Sequence, residues 1–232
     1  MTPLLRPLLP YAATLCALLT AACATQQFAL HSGDRIVFFG DSITQLGDQP
    51  KGYVALIRSS LVRTRPGAEV VNAGISGNKV TDLLQRLDRD VLAKRPAAVF
   101  IYIGINDVWH WALPNLRGTP PEQFESGLKE IISRIQAQGA RVVLCTPSVI
   151  GEKRNGANPQ DAELDRYAAI SRRVAAGAGV ELCDLRAAFV AYLGVNNPGD
   201  EEKGILTGDR VHLNDAGNKL VAELLLKEIA HW

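Results

Sequence analysis

Five short apolar runs divide the chain from residue 35 onward. They cover residues 35–39, 69–72, 97–103, 141–146 and 180–184. Each run is rich in β-branched or aromatic residues, and each is bounded by Gly, Pro or Asp. Runs of this kind are typical of strands buried on both faces, so the pattern predicts the strands of a parallel sheet.

The segments between these runs have the period of amphipathic helices. One helix is predicted to begin at the capping box that Thr119 opens and to stop near Gly139. Further helices are expected at residues 161–176, 184–193 and 214–229. This alternation predicts a three-layer α/β/α fold, in which a five-stranded parallel sheet has helices on both faces. In such sheets the functional residues gather at the carboxyl ends of the strands.

Residues 1–24 have the layout of a leader that directs export. Arg6 precedes an apolar run over residues 12–22, which is short for a membrane span, and small residues follow it. An uncleaved anchor or a buried helix is the alternative. Ala22-Cys23-Ala24 fits a signal-peptide cleavage site, but this stretch also resembles a lipobox, in which Cys23 would carry a lipid. The sequence therefore predicts a periplasmic or extracellular protein that is either free or lipid-anchored.

The length and the charge of the chain restrict its partners. The chain has 232 residues, which suits a single domain over residues 33–232 behind the leader. Its formal net charge is +1, and Arg6 is the only charged residue among the first 33, so the rest is neutral. This balance argues against nucleic acid or an anionic membrane as the main partner, which leaves a lipid on Cys23 as the one expected membrane contact.

The cysteines do not predict a disulfide framework or a metal site. Only Cys145 and Cys183 lie beyond the leader, each inside a strand-like run, and nothing in the chain has zinc-ligand spacing. Both are expected to be buried free thiols. The sequence predicts neither a metal nor an organic cofactor.

Polar motifs follow the predicted strands. They are Gly-Asp-Ser-Ile-Thr at residues 40–44, Asn-Ala-Gly-Ile-Ser-Gly-Asn at 72–78, Gly-Ile-Asn-Asp at 104–107 and a segment with Asp-Arg-Val-His at 206–214. Taken singly, each could be an ordinary capped turn. Taken together, they contain the parts that acyl transfer needs: a hydroxyl nucleophile, an imidazole base, a carboxylate and N–H donors for an oxyanion.

With these four motifs in this order, the chain resembles the SGNH/GDSL hydrolase family, whose members are esterases and lipases of flavodoxin-like architecture. The resemblance covers almost all of the predicted domain. It implies that Ser42 is the nucleophile, that His212 is the general base and that Asp209 is its acidic partner. It also implies an oxyanion hole formed by the N–H groups of Ser42 and Gly74 and by the side chain of Asn106.

Some residues near these motifs have less certain roles. Trp109, His110 and Trp111 follow Asn106 directly, and they are expected to form either a substrate-binding wall or a packed loop. The family often has Gly at the position of Arg210. This departure affects the expected charge at the entrance of the site and leaves the catalytic residues unaffected.

The expected function is an exported serine ester hydrolase that removes acetyl or other short acyl groups from carbohydrate-type substrates. The alternative is a lysophospholipase or a hydrolase of short acyl esters or thioesters. Two hypotheses without catalysis are a carbohydrate-binding module on a decayed hydrolase fold and a phosphate-binding domain that uses residues 40–44. The intact Ser42, Asp209 and His212 argue against both.

Overall fold

The computed structural model of the protein describes residues 29–232, and the predicted leader lies outside them. All five predicted strands form, and they make one parallel sheet in the order β2-β1-β3-β4-β5. This is the flavodoxin-like order, so the predicted fold class is confirmed. The strands are β1 (Arg35–Gly40), β2 (Glu69–Gly74), β3 (Ala98–Tyr102), β4 (Arg141–Cys145) and β5 (Glu181–Cys183).

Eight α-helices lie between and after the described strands. They are α1 (Ser42–Leu46), α2 (Tyr53–Thr64), α3 (Val80–Asp90), α4 (Ile105–Trp109), α5 (Pro121–Gln136), α6 (Asp161–Ala178), α7 (Leu185–Asn196) and α8 (Asp215–Ala230). Helices α2 and α8 pack together in one layer, whereas α3, α5 and α6 pack side by side in the other. No helix within residues 29–232 is long and apolar enough to cross a membrane.

Alternating side chains of the central strands form the core on both faces of the sheet. Phe38 of β1 stacks on Phe100 of β3 with ring centres 4.9 Å apart, and it meets Tyr53 of α2 edge-on. The next residue, Phe39, points to the other face, where the guanidinium of Arg86 lies 4.6 Å from its ring centre. The all-apolar strand pattern therefore reflects burial on both faces.

The predicted start of α5 is wrong in its detail. The residue that precedes the helix is Pro120, and no side chain caps it. Thr119 is buried, and its backbone N–H donates to the Asp107 carbonyl at 3.0 Å. Thr119 therefore holds the loop after β3 in place instead of opening a capping box.

Candidate active site

Ser42 lies just after β1, where the chain leaves the sheet and α1 begins. The side chain of Asp41 caps α1 by accepting a hydrogen bond from the Ile43 N–H at 2.9 Å, and Ser42 is the first residue of that helix. A Cβ atom at Gly40 would lie only 2.4 Å from the Tyr102 carbonyl oxygen, so β1 must end in glycine for the chain to turn here. The tight turn leaves Ser42 partly exposed at the edge of the sheet.

The structure brings Ser42, His212 and Asp209 into one hydrogen-bonded chain. His212 Nε2 lies 2.8 Å from Ser42 Oγ, and His212 Nδ1 lies 2.7 Å from Asp209 Oδ2. The carboxylate is an acceptor, so Nδ1 carries the proton and Nε2 is free to accept the proton of the serine hydroxyl. Residues separated by 170 positions in sequence therefore have the geometry of a nucleophile, a base and the group that orients the base.

A compact turn holds Asp209 and His212 together. Asp209 Oδ1 accepts hydrogen bonds from the backbone N–H groups of Val211, at 3.0 Å, and of His212, at 2.7 Å. Burial raises the pKa of Asp209, but hydrogen bonds from the His212 side chain and from these N–H groups outweigh it, so the pKa lies below its usual value. Asp209 therefore stays ionised beside the imidazole.

Arg210 lies inside this turn in a conformation that favours glycine. Its φ angle is +86°, in the left-handed region. Its side chain pairs with Glu202 at 3.2 Å, and its carbonyl accepts a hydrogen bond from the Gly151 N–H at 2.8 Å. The charge at this position is therefore paired within the protein, and the backbone geometry accounts for the glycine that the family often has here.

Asn106 lies at the start of α4, where it is almost completely buried. Its Nδ2 donates to the Asn78 carbonyl at 3.1 Å, so the loops after β2 and β3 meet at this point. Asn106 and Gly74 were expected to contribute donors to the same oxyanion hole. Their two loops do meet, but the Gly74 N–H already donates a hydrogen bond to another residue.

The Gly74 N–H donates to the side-chain oxygen of Asn72 at 2.8 Å. Gly74 also packs against the backbone of α1, where an added Cβ atom would lie 2.2 Å from the Gln45 nitrogen. Its lack of a side chain thus serves the close packing of β2 on α1. The described residues offer the Gly77 N–H no protein acceptor, in contrast to that of Gly74.

Gly77 lies between two contacts that connect it to the site. The N–H and hydroxyl groups of Ser76 both donate to Gln45 Oε1 of α1, at 2.7 and 2.8 Å, and the Asn78 carbonyl binds Asn106. Gly77 has a φ angle of +78° in this turn. Gly77 was not among the predicted site residues. The signal that could have identified it is the second glycine of Gly-Ile-Ser-Gly, because a glycine with positive φ can turn its N–H outward.

The three residues that were expected to form either a substrate-binding wall or a packed loop differ in their surroundings. His110 is buried, and its pKa is lowered by burial and by the positive charge of Lys79. Trp109 packs against the core, whereas 52% of Trp111 is exposed. The Trp111 indole lies against Gly118, where a Cβ atom would come within 2.3 Å of its Nε1. Of the three, Trp111 presents an aromatic face to solvent.

Two buried carboxyl groups flank the nucleophile and Asn106. Burial raises the pKa of Asp41 to about 7 and that of Asp107 to about 6. The negative charge of Asp107 adds to the effect on Asp41, and the charge of Arg86 opposes it. Asp41 and Asp107 accept backbone hydrogen bonds from Ile43 and Val80, as expected for residues that fix loops. Within the described part of the chain, no cluster of three His, Cys, Asp or Glu side chains could hold a metal ion.

Comparison with known proteins identifies relatives that are esterases. Residues 38–220 match the GDSL-like Lipase/Acylhydrolase family. An acetylxylan esterase of Geobacillus stearothermophilus is 34% identical over 214 residues, which cover 85% of this chain and 94% of that protein. Esterase TesA of Pseudomonas aeruginosa is 36% identical over 135 residues, covering 55% of this chain and 62% of that protein.

A solved structure agrees with the fold and the family. The crystal structure of the acetyl xylan esterase AlAXEase is similar with a TM-score of 0.81 and 43% identity, covering 84% of this chain and 99% of that chain. The chain therefore belongs to the GDSL-like lipase/acylhydrolase family. Since its relatives are esterases, it is a carboxylic ester hydrolase.

Proposed function

We propose that the protein is a serine esterase that removes acetyl groups from acetylated carbohydrate, with xylan-type polysaccharide or its oligosaccharides as the substrate class. The observation that carries the proposal is the hydrogen-bonded chain from Ser42 through His212 to Asp209. A hydroxyl paired with a base, which is itself oriented by a carboxylate, is the arrangement that activates serine for acyl transfer.

The proposed reaction uses the Ser42, His212 and Asp209 side chains in two half-reactions. Ser42 Oγ attacks the acetyl carbon while its proton passes to His212 Nε2. The tetrahedral intermediate collapses, and His212 returns the proton to the oxygen of the leaving sugar. A water molecule then attacks the acetyl-enzyme, giving its proton to His212, and acetate leaves as Ser42 regains its proton. Asp209 stabilises the imidazolium that forms in each half of the reaction.

The proposed oxyanion hole has three donors. They are the N–H of Ser42 at the first turn of α1, the N–H of Gly77 and the side-chain amide of Asn106. Gly77 takes the place that the sequence analysis gave to Gly74, because the Gly74 N–H is already donated to Asn72. Preorganised donors of this kind act on the charge that develops in the transition state, and one donor typically contributes about 10²–10³ in rate.

Two observations support an acetylated carbohydrate as the substrate. Acetylxylan esterases are among the relatives that match this chain over most of its length. The exposed face of Trp111 follows Asn106 by five positions, and a flat indole suits the apolar face of a sugar ring.

A second candidate substrate is a short acyl ester or thioester, or a lysophospholipid. It is favoured by the partial match to Esterase TesA and by two exposed apolar residues, Leu46 and Ile75. Leu46 ends the helix that begins with Ser42, and Ile75 belongs to the loop after β2, so an acyl chain could contact both.

Export is also part of the proposal. The leader pattern over residues 1–24 supports it, and a substrate such as plant polysaccharide would be met outside the cell. The mass of the mature protein from the producing cell distinguishes the forms: cleavage near Ala24 indicates a secreted protein, and a diacylated Cys23 indicates a lipoprotein. An uncleaved N-terminus would refute export by this route.

The substrate class is tested by comparing kcat/KM for acetylated xylo-oligosaccharides with kcat/KM for p-nitrophenyl esters of increasing chain length. The proposal predicts that the acetylated sugars and p-nitrophenyl acetate are the good substrates and that activity falls with chain length. Trp111→Ala should raise KM for the oligosaccharide while leaving that for p-nitrophenyl acetate unchanged. A preference for long acyl chains would favour the second candidate.

A further inference from the structure

Arg86 is a buried guanidinium behind the nucleophile and the loop after β2. It lies in α3 with only 7% of its side chain exposed. Its Nη2 donates to the Gly40 carbonyl and its Nη1 to the Ala73 carbonyl, both at 2.8 Å. Gly40 ends β1 just before Ser42, and Ala73 lies at the end of β2. Arg86 therefore ties together the two strand ends that lead into the proposed oxyanion hole.

A third hydrogen bond extends this contact to the donors themselves. Arg86 Nε donates to Asn78 Oδ1 at 2.6 Å, and the Asn78 carbonyl accepts the hydrogen bond from Asn106 Nδ2. Asn78 also follows Gly77 directly. A planar guanidinium holds its donors in a fixed arrangement, so one side chain can set the spacing of all three acceptors. Asp90 balances its charge at 3.0 Å.

Glu152 is a buried carboxylate on the other side of the site, in the loop after β4. Its Oε1 accepts hydrogen bonds from the Leu206 N–H at 2.7 Å, the Thr207 N–H at 2.5 Å and the Thr207 hydroxyl at 2.8 Å. Its Oε2 accepts a bond from the Ile205 N–H at 2.7 Å. Charge-assisted bonds to three consecutive backbone N–H groups fix the path of this segment.

The segment that Glu152 holds leads directly to the base. Asp209 comes two residues after Thr207, and the Asp209 and His212 side chains are 54% and 29% exposed. Side chains so exposed receive little support from the core. Their position relative to Ser42 therefore depends on how the surrounding backbone is anchored. Glu152 anchors residues 205–207, and its neighbour Gly151 donates its N–H to the Arg210 carbonyl at 2.8 Å.

We propose that Arg86 and Glu152 are positioning residues, each of which holds a different part of the site in place. Arg86 aligns the oxyanion donors, and Glu152 aligns Asp209 and His212 with the nucleophile. Neither side chain touches the reacting atoms, since each is buried behind the loop that it holds. The inference rests on the proposed function and adds the residues that make its geometry rigid.

The test compares Arg86→Lys and Glu152→Gln with matched control variants. Lysine keeps the charge but lacks the planar guanidinium with its fixed arrangement of donors. Glutamine places an NH2 group where one oxygen now accepts a hydrogen bond. Arg141 and Glu181 form a partly buried ion pair where β4 and β5 begin, at the end of the sheet away from the site, with Arg141 Nε 3.0 Å from Glu181 Oε2. Arg141→Lys and Glu181→Gln are therefore the controls. The measurements are kcat and KM for p-nitrophenyl acetate across the pH range of activity, and Tm.

Arg86→Lys should lower kcat by about tenfold or more, because displaced donors stabilise the transition state less well. Its KM and the shape of its pH profile should match those of the wild type. Glu152→Gln should also lower kcat and leave KM for p-nitrophenyl acetate unchanged, because Asp209 and His212 are then less well aligned with Ser42. The controls should lose Tm and keep kcat.

Test variants that lose only Tm, as the controls do, would overturn the inference, as would an Arg86→Lys enzyme changed only in KM. If a test variant does not fold, Asn78→Ser and Thr207→Val each remove one contact of Arg86 or Glu152 and should give the same signatures more weakly. Unchanged kcat in both would equally overturn it. An inactive wild-type chain would refute the proposed function itself, whereas an active wild type with control-like variants refutes this inference alone.

Discussion

At the scale of single residues, two histidines lie near the strand ends, and their environments differ. His212 is partly exposed between Ser42 and Asp209. His110 is buried, with its pKa lowered by burial and by the charge of Lys79. Only His212 has both a nucleophile and a carboxylate within hydrogen-bonding distance. We therefore assign the proposed acid–base chemistry to His212 and a packing role to His110.

His212→Ala should reduce kcat/KM for p-nitrophenyl acetate by several orders of magnitude, since the serine loses its base. His110→Ala should cost far less, and its loss should follow the loss of Tm. Asp209→Asn keeps the shape of the triad but removes the charge that stabilises the imidazolium, so its activity should fall between the two. An inactive His110→Ala beside an active His212→Ala would contradict the assignment.

Asp41 predicts an unusual dependence of stability on pH. An acid whose pKa is raised on folding binds more protons in the folded state, so its contribution to stability is lost as pH rises. For Asp41 this loss falls between the ordinary value of 3.8 and about 7. Asp41→Asn keeps the acceptor for the Ile43 N–H and cannot ionise. It should therefore raise Tm at pH 8, by about 2–4 °C for each kcal/mol gained.

The same variant should have no advantage near pH 3, which lies below both pKa values, so that Asp41 is mostly protonated in the folded and the unfolded state. Asp209→Asn is the control of opposite sign. Its pKa is lowered on folding, so its charge supports the folded state above the ordinary value, and the substitution should give no gain at pH 8. A Tm advantage of Asp41→Asn that did not change with pH would show that ionisation is not the cause.

Two of the candidate site residues could be predicted from sequence because a motif marked a strand end. Ser42 follows β1 and Asn106 follows β3, and the carboxyl ends of parallel strands share one edge. His212 lies in the loop between α7 and α8, and the motif Asp-Arg-Val-His marked it. The choice between Gly74 and Gly77 could not be made, because it depends on which N–H already has a partner. Arg86 and Glu152 were missed because nothing local marks a buried charge whose partners are distant in sequence.

At the scale of elements, the strands and the long helices could be predicted because their apolar periods are strong. The helices α1 and α4 could not, since five residues are too few to show a helical period. The run at 180–184 became the three-residue strand β5 at the edge of the sheet. Cys183 therefore lies in an edge strand, although its side chain is still buried.

The pairing of β4 with β5 makes Cys145 and Cys183 direct neighbours. They are register partners, and both are free and buried. Burial raises the pKa of the Cys145 thiol, which disfavours the reactive thiolate. Both thiols should resist alkylation in the native protein and react fully after denaturation without reductant. Intact-mass spectrometry would reveal a disulfide as a deficit of two hydrogens with no label incorporated.

At the scale of the whole molecule, one sheet edge gathers segments from most of the chain. The proposed nucleophile follows β1, the proposed oxyanion donors follow β1, β2 and β3, and Glu152 of the loop after β4 holds the segment that leads to His212. The alternation of strands and helices predicted the layers. The particular links between loops depend on side chains that meet only in the folded chain, so sequence periodicity could not supply them.

The central claim is that Ser42, activated by His212, forms the acyl-enzyme. The most direct test is to react the folded protein with a fluorophosphonate and to map the adduct by mass spectrometry. We expect one adduct, on Ser42, which forms rapidly in the wild type. Its formation should be slower by orders of magnitude in His212→Ala, and no adduct should form in Ser42→Ala. Stoichiometric labelling of a different residue, or a Ser42→Ala protein that still hydrolyses p-nitrophenyl acetate at the wild-type rate, would contradict it.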